Sequence, residues 1–273
     1  MTGVTVVPEG DELDELRRRL SDLGRVVVAF SGGSDSAFLA RIAHDLLGPD
    51  QVLCATAVSP SLAAAEEADC RALADEWGLR WIGVPTVEMD DPAYVANGAD
   101  RCAHCKTALM DALEPLAAVE GATVVLGVNV DDLGDYRPGQ QAAADRGARF
   151  PLVEAGFTKD LVRSCSRELG LRTWNKPAAA CLASRLPYGT PVTLGSLSSV
   201  ARAESALRRL GFADLRVRHH GDVARIEVAE SALAAVVEQR QAVVEAVRAA
   251  GYAFVALDLE GLRSGSLNRV LAR

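Results

Sequence analysis

The segment Ser31–Ser36, with the sequence Ser-Gly-Gly-Ser-Asp-Ser, combines residue types that bind phosphate. It follows an apolar run at residues 26–30, which predicts a buried strand, and precedes residues 37–43, which predict a helix. Such a turn directs backbone N–H groups and hydroxyls to one point at the positive end of the helix dipole. Tight strand–helix packing alone would not require the hydroxyls or Asp35. The segment therefore predicts a pyrophosphate-binding loop.

The spacing indicates which kind of loop this is. The segment matches neither the Walker pattern G-x-x-x-x-G-K-[ST] nor the pattern G-x-G-x-x-G. Its pattern S-G-G-x-D-S resembles the PP-loop of the ATP pyrophosphatases, which cleave ATP between the α- and β-phosphates and adenylate a substrate. On this resemblance, the residues expected to bind the nucleotide are Ser31, Gly32, Gly33, Asp35 and Ser36.

Three of the six cysteines lie where a thiol could do chemistry. Cys102 and Cys105 are three residues apart at the start of a predicted helix, whose dipole favours thiolates. They are compatible with a redox pair, with a zinc site completed by His104 and Cys181, or with two unrelated thiols. An iron–sulfur cluster held with Cys181 is a further interpretation, and three ligands would leave one iron open for hydrosulfide. The remaining cysteines are predicted to be small buried hydrophobic residues: Cys54, Cys70 and Cys165.

Two arginines in the first part of the chain are candidate ligands for anions. Arg185 lies four residues after Cys181, where it would favour a thiolate or bind a phosphate. Arg137 follows the predicted strand near 123–127, and parallel strands present their ligands at their carboxyl ends. We therefore expect Arg137 to bind a carboxylate or phosphate of the substrate, with a solvated turn as the alternative.

A second group of charged candidates follows later in the chain. Arg216 and Arg218 are two residues apart in a predicted strand, so their side chains point to one face. Two guanidinium groups on one face suit a phosphate or a dicarboxylate. Glu204 and Glu227 are candidate metal ligands, although pairing with those arginines is an alternative that the sequence leaves open.

The elements that must position these residues alternate between strand and helix. The predicted strands lie near residues 25–30, 51–57, 80–84 and 123–127, and the predicted helices lie near 11–23, 36–47, 62–77, 104–118 and 158–169. This alternation predicts a parallel sheet whose ligands bind at the carboxyl ends of the strands. The fold class is therefore α/β, and the resemblance of Ser31–Ser36 to a PP-loop implies that the domain is Rossmann-like and of the HUP type.

The breaker-rich segment Pro187–Pro191 marks the predicted domain boundary. Residues 1–186 are predicted to form the PP-loop domain, and residues 187–273 a small α+β domain of ferredoxin-like type for substrate binding and oligomerisation. Within it we predict helices near 196–210 and 230–250, and strands near 215–218, 224–228 and 253–257.

Composition narrows the class of function. The 273-residue chain exceeds the usual size of one domain and carries a formal net charge of −8. It has no extended Lys/Arg-rich run, whereas a nucleic-acid partner normally requires a basic face. No segment resembles a membrane span or a secretory signal. We therefore expect a cytoplasmic protein that acts on a small molecule, without a nucleic-acid or membrane partner.

Taken together, the motifs resemble the LarE family of PP-loop sulfur transferases over nearly the whole chain. The segments that carry the resemblance are Ser31–Ser36, Asp135–Gly139, Trp174–Lys176, Cys181–Gly189 and Leu257–Asn268. The resemblance implies an enzyme of nickel-pincer nucleotide biosynthesis that uses ATP and Mg²⁺. It would adenylate a carboxylate of pyridinium-3,5-biscarboxylic acid mononucleotide, with release of pyrophosphate. Sulfur would then displace AMP to leave a thiocarboxylate.

The family resemblance also implies how the sulfur is supplied. In one type of member, a single cysteine that matches Cys181 gives up its own sulfur and becomes dehydroalanine. In the other type, three cysteines hold a [4Fe-4S] cluster that carries an additional sulfide. This chain has Cys102, Cys105 and Cys181, so it is similar to the cluster type. The sacrificial use of Cys181 stays the alternative.

The resemblance assigns roles in the second domain as well. Residues that match Arg216 and Arg218 bind the substrate phosphate, and residues that match Glu204 and Glu227 belong to a metal site. The chain departs from the family at Ala235, where the metal site has a third acidic residue. Family members form symmetric oligomers, often hexamers, so we expect a homo-oligomer.

Three other functions are compatible with parts of the sequence. A tRNA-thiolation enzyme shares the PP-loop and the CxxC element, but it would need a basic surface that the net charge of −8 disfavours. An ammonia-using amidating synthetase needs no cysteine trio. A nucleotide-binding sensor would bind ATP without releasing pyrophosphate.

Overall fold

The computed structural model describes residues 10–134, 138–177 and 180–263. The chain divides into two units, one of Met1–Glu88 with Cys102–Ala179 and the other of Met89–Arg101 with Ala180–Arg273. The second unit thus also takes a short segment from the middle of the chain. The domain limits at residues 186 and 187 stay a prediction.

A four-stranded parallel sheet forms the centre of the first unit. Its strands, in chain order, are β1 Val26–Ala29, β2 Val52–Val58, β3 Arg80–Pro85 and β4 Thr123–Leu126. Their spatial order is β3-β2-β1-β4, and all neighbours are parallel. The order reverses between β1 and β4, and ligands bind at such a point in open α/β sheets. The predicted α/β fold is confirmed.

The helices follow the predicted alternation closely. Numbered α1 to α11 in chain order, the α-helices of the described residues are Asp11–Leu23, Ser34–Leu47, Ala64–Trp77, Pro92–Val95, Arg101–Glu120, Pro138–Ala144, Pro151–Glu154, Lys159–Glu168, Leu194–Arg209, Leu233–Glu238 and Arg240–Ala249. Short 3₁₀ turns lie at Pro49–Gln51, Glu88–Asp90, Val130–Gly134, Leu182–Arg185 and Glu230–Ala232. Among these described helices, none is long and apolar enough to cross a membrane.

Alternate residues of β1 pack on opposite faces of the sheet, as the two-residue period of a strand requires. Val26 and Val28 belong to a buried cluster with Phe38 of α2. Val27 belongs to a second buried cluster with Leu113 of α5. Apolar side chains therefore cover both faces of the sheet, and its carboxyl edge is the place left for polar side chains and ligands.

The second unit contains a separate three-stranded sheet. Its strands are β5 Leu215–His220, β6 Val223–Val228 and β7 Phe254–Leu257, in the order β5-β6-β7. β5 and β6 are antiparallel, whereas β6 and β7 are parallel. A buried cluster that includes Leu207, Val217 and Val247 joins this sheet to α9 and α11. The single helix predicted near 230–250 is wrong in detail, because α10 ends at Glu238 and α11 begins at Arg240, with Gln239 between them.

Candidate functional site

The predicted phosphate loop connects β1 to α2. Gly32 adopts a φ of +66°, a left-handed conformation that glycine enters without steric cost. The loop closes on itself, because the backbone N–H of Ser31 donates to the Ser36 hydroxyl at 3.2 Å and the two hydroxyl oxygens lie 3.0 Å apart. Gly33 occupies the N-cap of α2 and supplies no side-chain cap. The first N–H groups of α2 are therefore available to an anion.

Gly127, directly after β4, allows the sheet to approach the phosphate loop closely. A Cβ atom at this position would lie 2.6 Å from the backbone nitrogen of Ser36 and 2.9 Å from the carbonyl carbon of Asp35. Both atoms are backbone, so neither can move aside as a flexible side chain would. The end of β4 thus packs directly against the first turn of α2.

Lys159 is a site residue that we did not identify from the sequence. Its ammonium lies 2.6 Å from Asp35 Oδ2 and 2.7 Å from Ser34 Oγ, although Lys159 is 124 residues away in sequence from Asp35. Its backbone N–H donates to Asp131 at 2.7 Å, at the turn that follows β4. The sequence predicts a helix near 158–169 there, and α8 begins at Lys159 with Thr158 as its N-cap, since Thr158 Oγ1 accepts from Leu161 N. That local pattern contains no signal for the ion pair.

Asp35 has one carboxylate oxygen that is paired and one that is not. Oδ2 accepts from Lys159, whereas Oδ1 is buried and has no hydrogen-bond partner among the described residues. An unpartnered buried carboxylate oxygen is costly, and hard cations such as Mg²⁺ bind such oxygens. The residues of the loop therefore fit both a phosphate group and its Mg²⁺.

Lys176 brings a second ammonium to the loop. Its Nζ would lie 3.7 Å from a Cβ built on Gly32, and it donates to Asp69 at 2.7 Å and Glu66 at 2.9 Å. Burial opposes protonation of Lys176, but the hydrogen bonds that its ammonium donates to Asp69 and Glu66 outweigh the burial and raise its pKa. Lys176 is therefore a fixed positive charge beside the loop, in the segment Trp174–Lys176 that carries the family resemblance.

The cysteines separate into two kinds, as predicted. Cys54, Cys70 and Cys165 are buried, and burial raises the pKa of all three thiols, that of Cys54 to about 12. Thiols of this kind are poor nucleophiles and poor metal ligands at neutral pH. The prediction that these three are packing residues is confirmed.

Cys102, Cys105 and Cys181 are the more accessible thiols. Cys102 is exposed and Cys105 partly exposed in the first turns of α5, in the first unit. Cys181 is partly exposed, in the second unit, and directly precedes the 3₁₀ turn Leu182–Arg185. Among the residues that the structure describes, no three His, Cys, Asp or Glu side chains are grouped as metal ligands. Cluster binding by the three cysteines stays a prediction.

Arginine side chains in the second unit surround two buried glutamates. Glu204 accepts from both Arg185 and Arg208, with Arg185 Nε 2.8 Å from Oε1, and it also accepts from the backbone N–H of Val217. Glu227 accepts from Arg218 at 2.8 Å and from Arg225 at 3.1 Å. Pairing with arginine was the alternative to metal binding, and these contacts occupy the carboxylate oxygens that a metal would need.

Arg216 differs from these arginines because its guanidinium makes no hydrogen bond or ion pair with any described residue, although its backbone pairs with Glu227 in the sheet. Burial lowers its pKa, and the nearby guanidinium groups of Arg185 and Arg218 lower it further. A half-buried cation beside two others is unfavourable unless an anion joins them. The group Arg185, Arg216 and Arg218 therefore fits a phosphate or carboxylate of a ligand.

One predicted anion ligand cannot be placed. Arg137, with Asp135 and Tyr136, lies outside the described residues, as do the final residues of the segment Leu257–Asn268.

Known proteins similar to this chain match it over nearly its full length. An uncharacterized protein of Synechocystis sp. is 46% identical over 265 residues, which are 96% of this chain and 98% of that protein. The pyridinium-3,5-bisthiocarboxylic acid mononucleotide synthase of Lactiplantibacillus plantarum, a LarE protein, is 39% identical over 255 residues, which are 93% of this chain and 92% of the synthase. Residues 13–107, which include the phosphate loop, match the NAD synthase family. On this similarity, together with the loop geometry, the chain belongs to the LarE family of PP-loop, ATP-dependent sulfurtransferases.

Proposed function

We propose that the enzyme converts pyridinium-3,5-biscarboxylic acid mononucleotide to its thiocarboxylate in nickel-pincer nucleotide biosynthesis. The observation that carries the proposal is the 39% identity, over 93% of this chain, to a synthase whose name states the bisthiocarboxylic acid product. The phosphate loop, its two lysines and the unpartnered Arg216 support it, because they supply separate places for ATP and for an anionic acceptor.

The first chemical step activates a carboxylate. A ring carboxylate oxygen attacks the α-phosphorus of ATP, and the bond to pyrophosphate breaks as that group leaves with its electron pair. The N–H groups at the start of α2, together with Lys159 and Lys176, would hold phosphate oxygens as negative charge builds on them. The unpartnered Asp35 Oδ1 would hold the Mg²⁺ that neutralises part of this charge.

The second chemical step introduces sulfur. A sulfur nucleophile attacks the acyl carbon of the adenylate, and AMP leaves with the electrons of the C–O bond. The proposed catalytic residues are Cys181, Cys102 and Cys105. A [4Fe-4S] cluster would be held by these three thiolates and would supply a bound sulfide. In the alternative, the Cys181 thiolate attacks the acyl carbon and AMP leaves. A base then removes the Cα proton of Cys181, and the Cβ–S bond breaks so that the thiocarboxylate leaves with the electron pair and dehydroalanine remains.

The second unit would bind the acceptor. Arg216 and Arg218 would hold its phosphate, and the buried Arg185, whose nitrogens bind Glu204 and the Ala180 carbonyl, would contribute only its positive charge. Glu204 and Glu227 do not fit a metal site as they stand, because arginines already occupy their oxygens. We therefore derive no step through a metal there. We also propose that the enzyme acts in the cytoplasm as a homo-oligomer.

Replacing Arg216 with alanine is expected to raise the KM for the acceptor by about 10- to 100-fold, because a hydrogen bond between charged groups contributes about 1.5–3 kcal/mol. The KM for ATP should be unchanged. Steady-state kinetics of pyrophosphate release measure both constants. Arg208→Ala is the control, since Arg208 is exposed and its ion pair is with Glu204. An equal rise of the acceptor KM in both variants would show that Arg216 does not bind the phosphate.

The proposed function is tested by incubating the full chain anaerobically with ATP, Mg²⁺ and the biscarboxylic acid mononucleotide. We expect pyrophosphate release that depends on the acceptor, and a product whose mass shows oxygen replaced by sulfur. Acceptor-dependent pyrophosphate release with ammonium, and an amide as product, would instead indicate an amidating synthetase. Tight, salt-sensitive binding of tRNA in a filter-binding assay would favour tRNA thiolation.

A further inference from the structure

The backbone that follows Cys181 is held by two buried side chains from residues 89–101 of the same unit. Arg101 Nη1 donates to the carbonyl oxygen of Ala183 at 2.9 Å and to Asn97 Oδ1 at 2.5 Å. Asn97 Nδ2 donates to the carbonyl oxygens of Pro187 and Thr190, both at 2.8 Å. One amide and one guanidinium thus fix three carbonyl groups within ten residues of the thiol.

Asn97 adopts a conformation that a side chain rarely accepts. Its φ is +56° and the residue is fully buried. Asparagine tolerates the left-handed region better than most residues, yet the conformation still costs free energy and persists where surrounding contacts hold it. Its backbone carbonyl also accepts from Gly189 N at 3.0 Å, so side chain and main chain both bind the same segment. Asn97 keeps this unfavourable backbone conformation while its side-chain nitrogen and its backbone carbonyl bind residues 187–190, which indicates that the placement of residues 187–190 is important.

The carbonyl groups of Cys181 and of Ala180, the residue before it, are also hydrogen-bonded. The Cys181 carbonyl oxygen accepts from the backbone N–H and the hydroxyl of Ser184, at 2.9 and 2.7 Å. Arg185 Nη1 donates to the carbonyl of Ala180 at 2.6 Å, and its other nitrogens bind Glu204. The main chain around Cys181 is therefore bonded on both sides, while the thiol itself stays partly exposed.

We propose that Asn97 and Arg101 are positioning residues for the thiol of Cys181. They do not touch substrate; they hold the backbone that follows Cys181 and so restrict where its sulfur can lie. This inference rests on the proposed function, in which Cys181 delivers or ligates the transferred sulfur. Because the reacting atoms must approach to about 3–3.5 Å, a misplacement of about 1 Å can cost about 100-fold in rate.

Two variants of the full chain separate positioning from simple stability. Asn97→Gly keeps the left-handed backbone without strain but removes all three side-chain hydrogen bonds. Arg101→Lys keeps the positive charge but cannot hold two acceptors in one plane. This variant tests the positioning role if Asn97→Gly does not fold. Arg202→Lys is the control, because Arg202 also donates to a backbone carbonyl of the second unit, that of Ala250.

Three quantities are measured for each protein: the rate of sulfur transfer, the melting temperature, and the rate at which iodoacetamide modifies Cys181, determined by peptide mass spectrometry. For Asn97→Gly and Arg101→Lys we expect sulfur transfer to fall by about 10- to 100-fold. The Cys181 modification rate should change by about threefold or more, because the number of accessible thiol orientations changes. Arg202→Lys should match the wild type in both rates.

The outcomes separate this inference from the proposed function. A lower melting temperature with both rates within about twofold of wild type, in folded variants, would overturn the positioning role. If the wild type itself transfers no sulfur, the proposed function fails. A changed Cys181 modification rate would then still support the positioning of the thiol, and an unchanged rate would reject it.

Discussion

Replacing Cys181 with alanine is expected to abolish sulfur transfer while acceptor-dependent pyrophosphate release continues. The reason is that the two steps use different groups. Attack on the α-phosphorus relies on the start of α2, Lys159 and Lys176, and it needs no thiol. The second step needs a sulfur nucleophile, which Cys181 either provides or helps to hold. Pyrophosphate and thiocarboxylate are therefore quantified in the same reaction.

Cys165→Ala is the matched control for this prediction. Cys165 is buried in α8, and burial raises the pKa of its thiol, so we expect it to take no part in sulfur chemistry. The variant should transfer sulfur at the wild-type rate. Sulfur transfer that survives Cys181→Ala would contradict the assignment of Cys181 and would point to Cys102 or Cys105 as the nucleophile.

The same set of variants distinguishes the two sulfur sources. If a cluster on three thiolates supplies sulfide, Cys102→Ala and Cys105→Ala should also lose sulfur transfer and lower the iron content of anaerobically reconstituted protein. If Cys181 is consumed, both variants stay active for one turnover. The mass of the wild-type chain then falls by one H₂S after the reaction, as Cys181 becomes dehydroalanine.

The sequence was sufficient for the parts of the site that are local in the chain. The strand, the glycine turn and the helix at residues 26–47 are predicted from apolar periodicity and turn chemistry, and the structure places them as expected. The burial of Cys54 follows in the same way, because it lies within an apolar strand. In each case the residues that decide the structure are neighbours in sequence.

The parts that the sequence did not reveal depend on contacts between distant residues. Lys159 reaches Asp35 across 124 positions, and Asn97 reaches Thr190 across 93. No local period or motif encodes such a pair. Whether Glu204 binds a metal or an arginine also depends on a residue from another segment, because its partner Arg185 lies 19 positions away in sequence. Residue type alone identified the candidates but could not assign their partners.

Replacing Lys159 with alanine is expected to lower the kcat for pyrophosphate release by about 100- to 1000-fold, the usual cost of removing one group that stabilises transition-state charge. The ammonium lies within hydrogen-bonding distance of two residues of the phosphate loop, so a bound phosphate group would meet it at the same place. Arg163→Ala is the control, because Arg163 lies one turn further along α8 and its buried Nε has no hydrogen-bond partner among the described residues.

Lys159 has two possible effects, and a second substitution separates them. The lysine can bind phosphate oxygens directly, or it can only neutralise Asp35, whose partly buried carboxylate would otherwise lack a counterion. Asp35→Asn removes that charge. If Lys159 binds phosphate, Lys159→Ala should still lower kcat strongly in the Asp35→Asn background. If Lys159→Ala has little further effect on kcat in the Asp35→Asn background, the lysine acts through Asp35 alone. The phosphate is then bound by Lys176 and the N–H groups of α2.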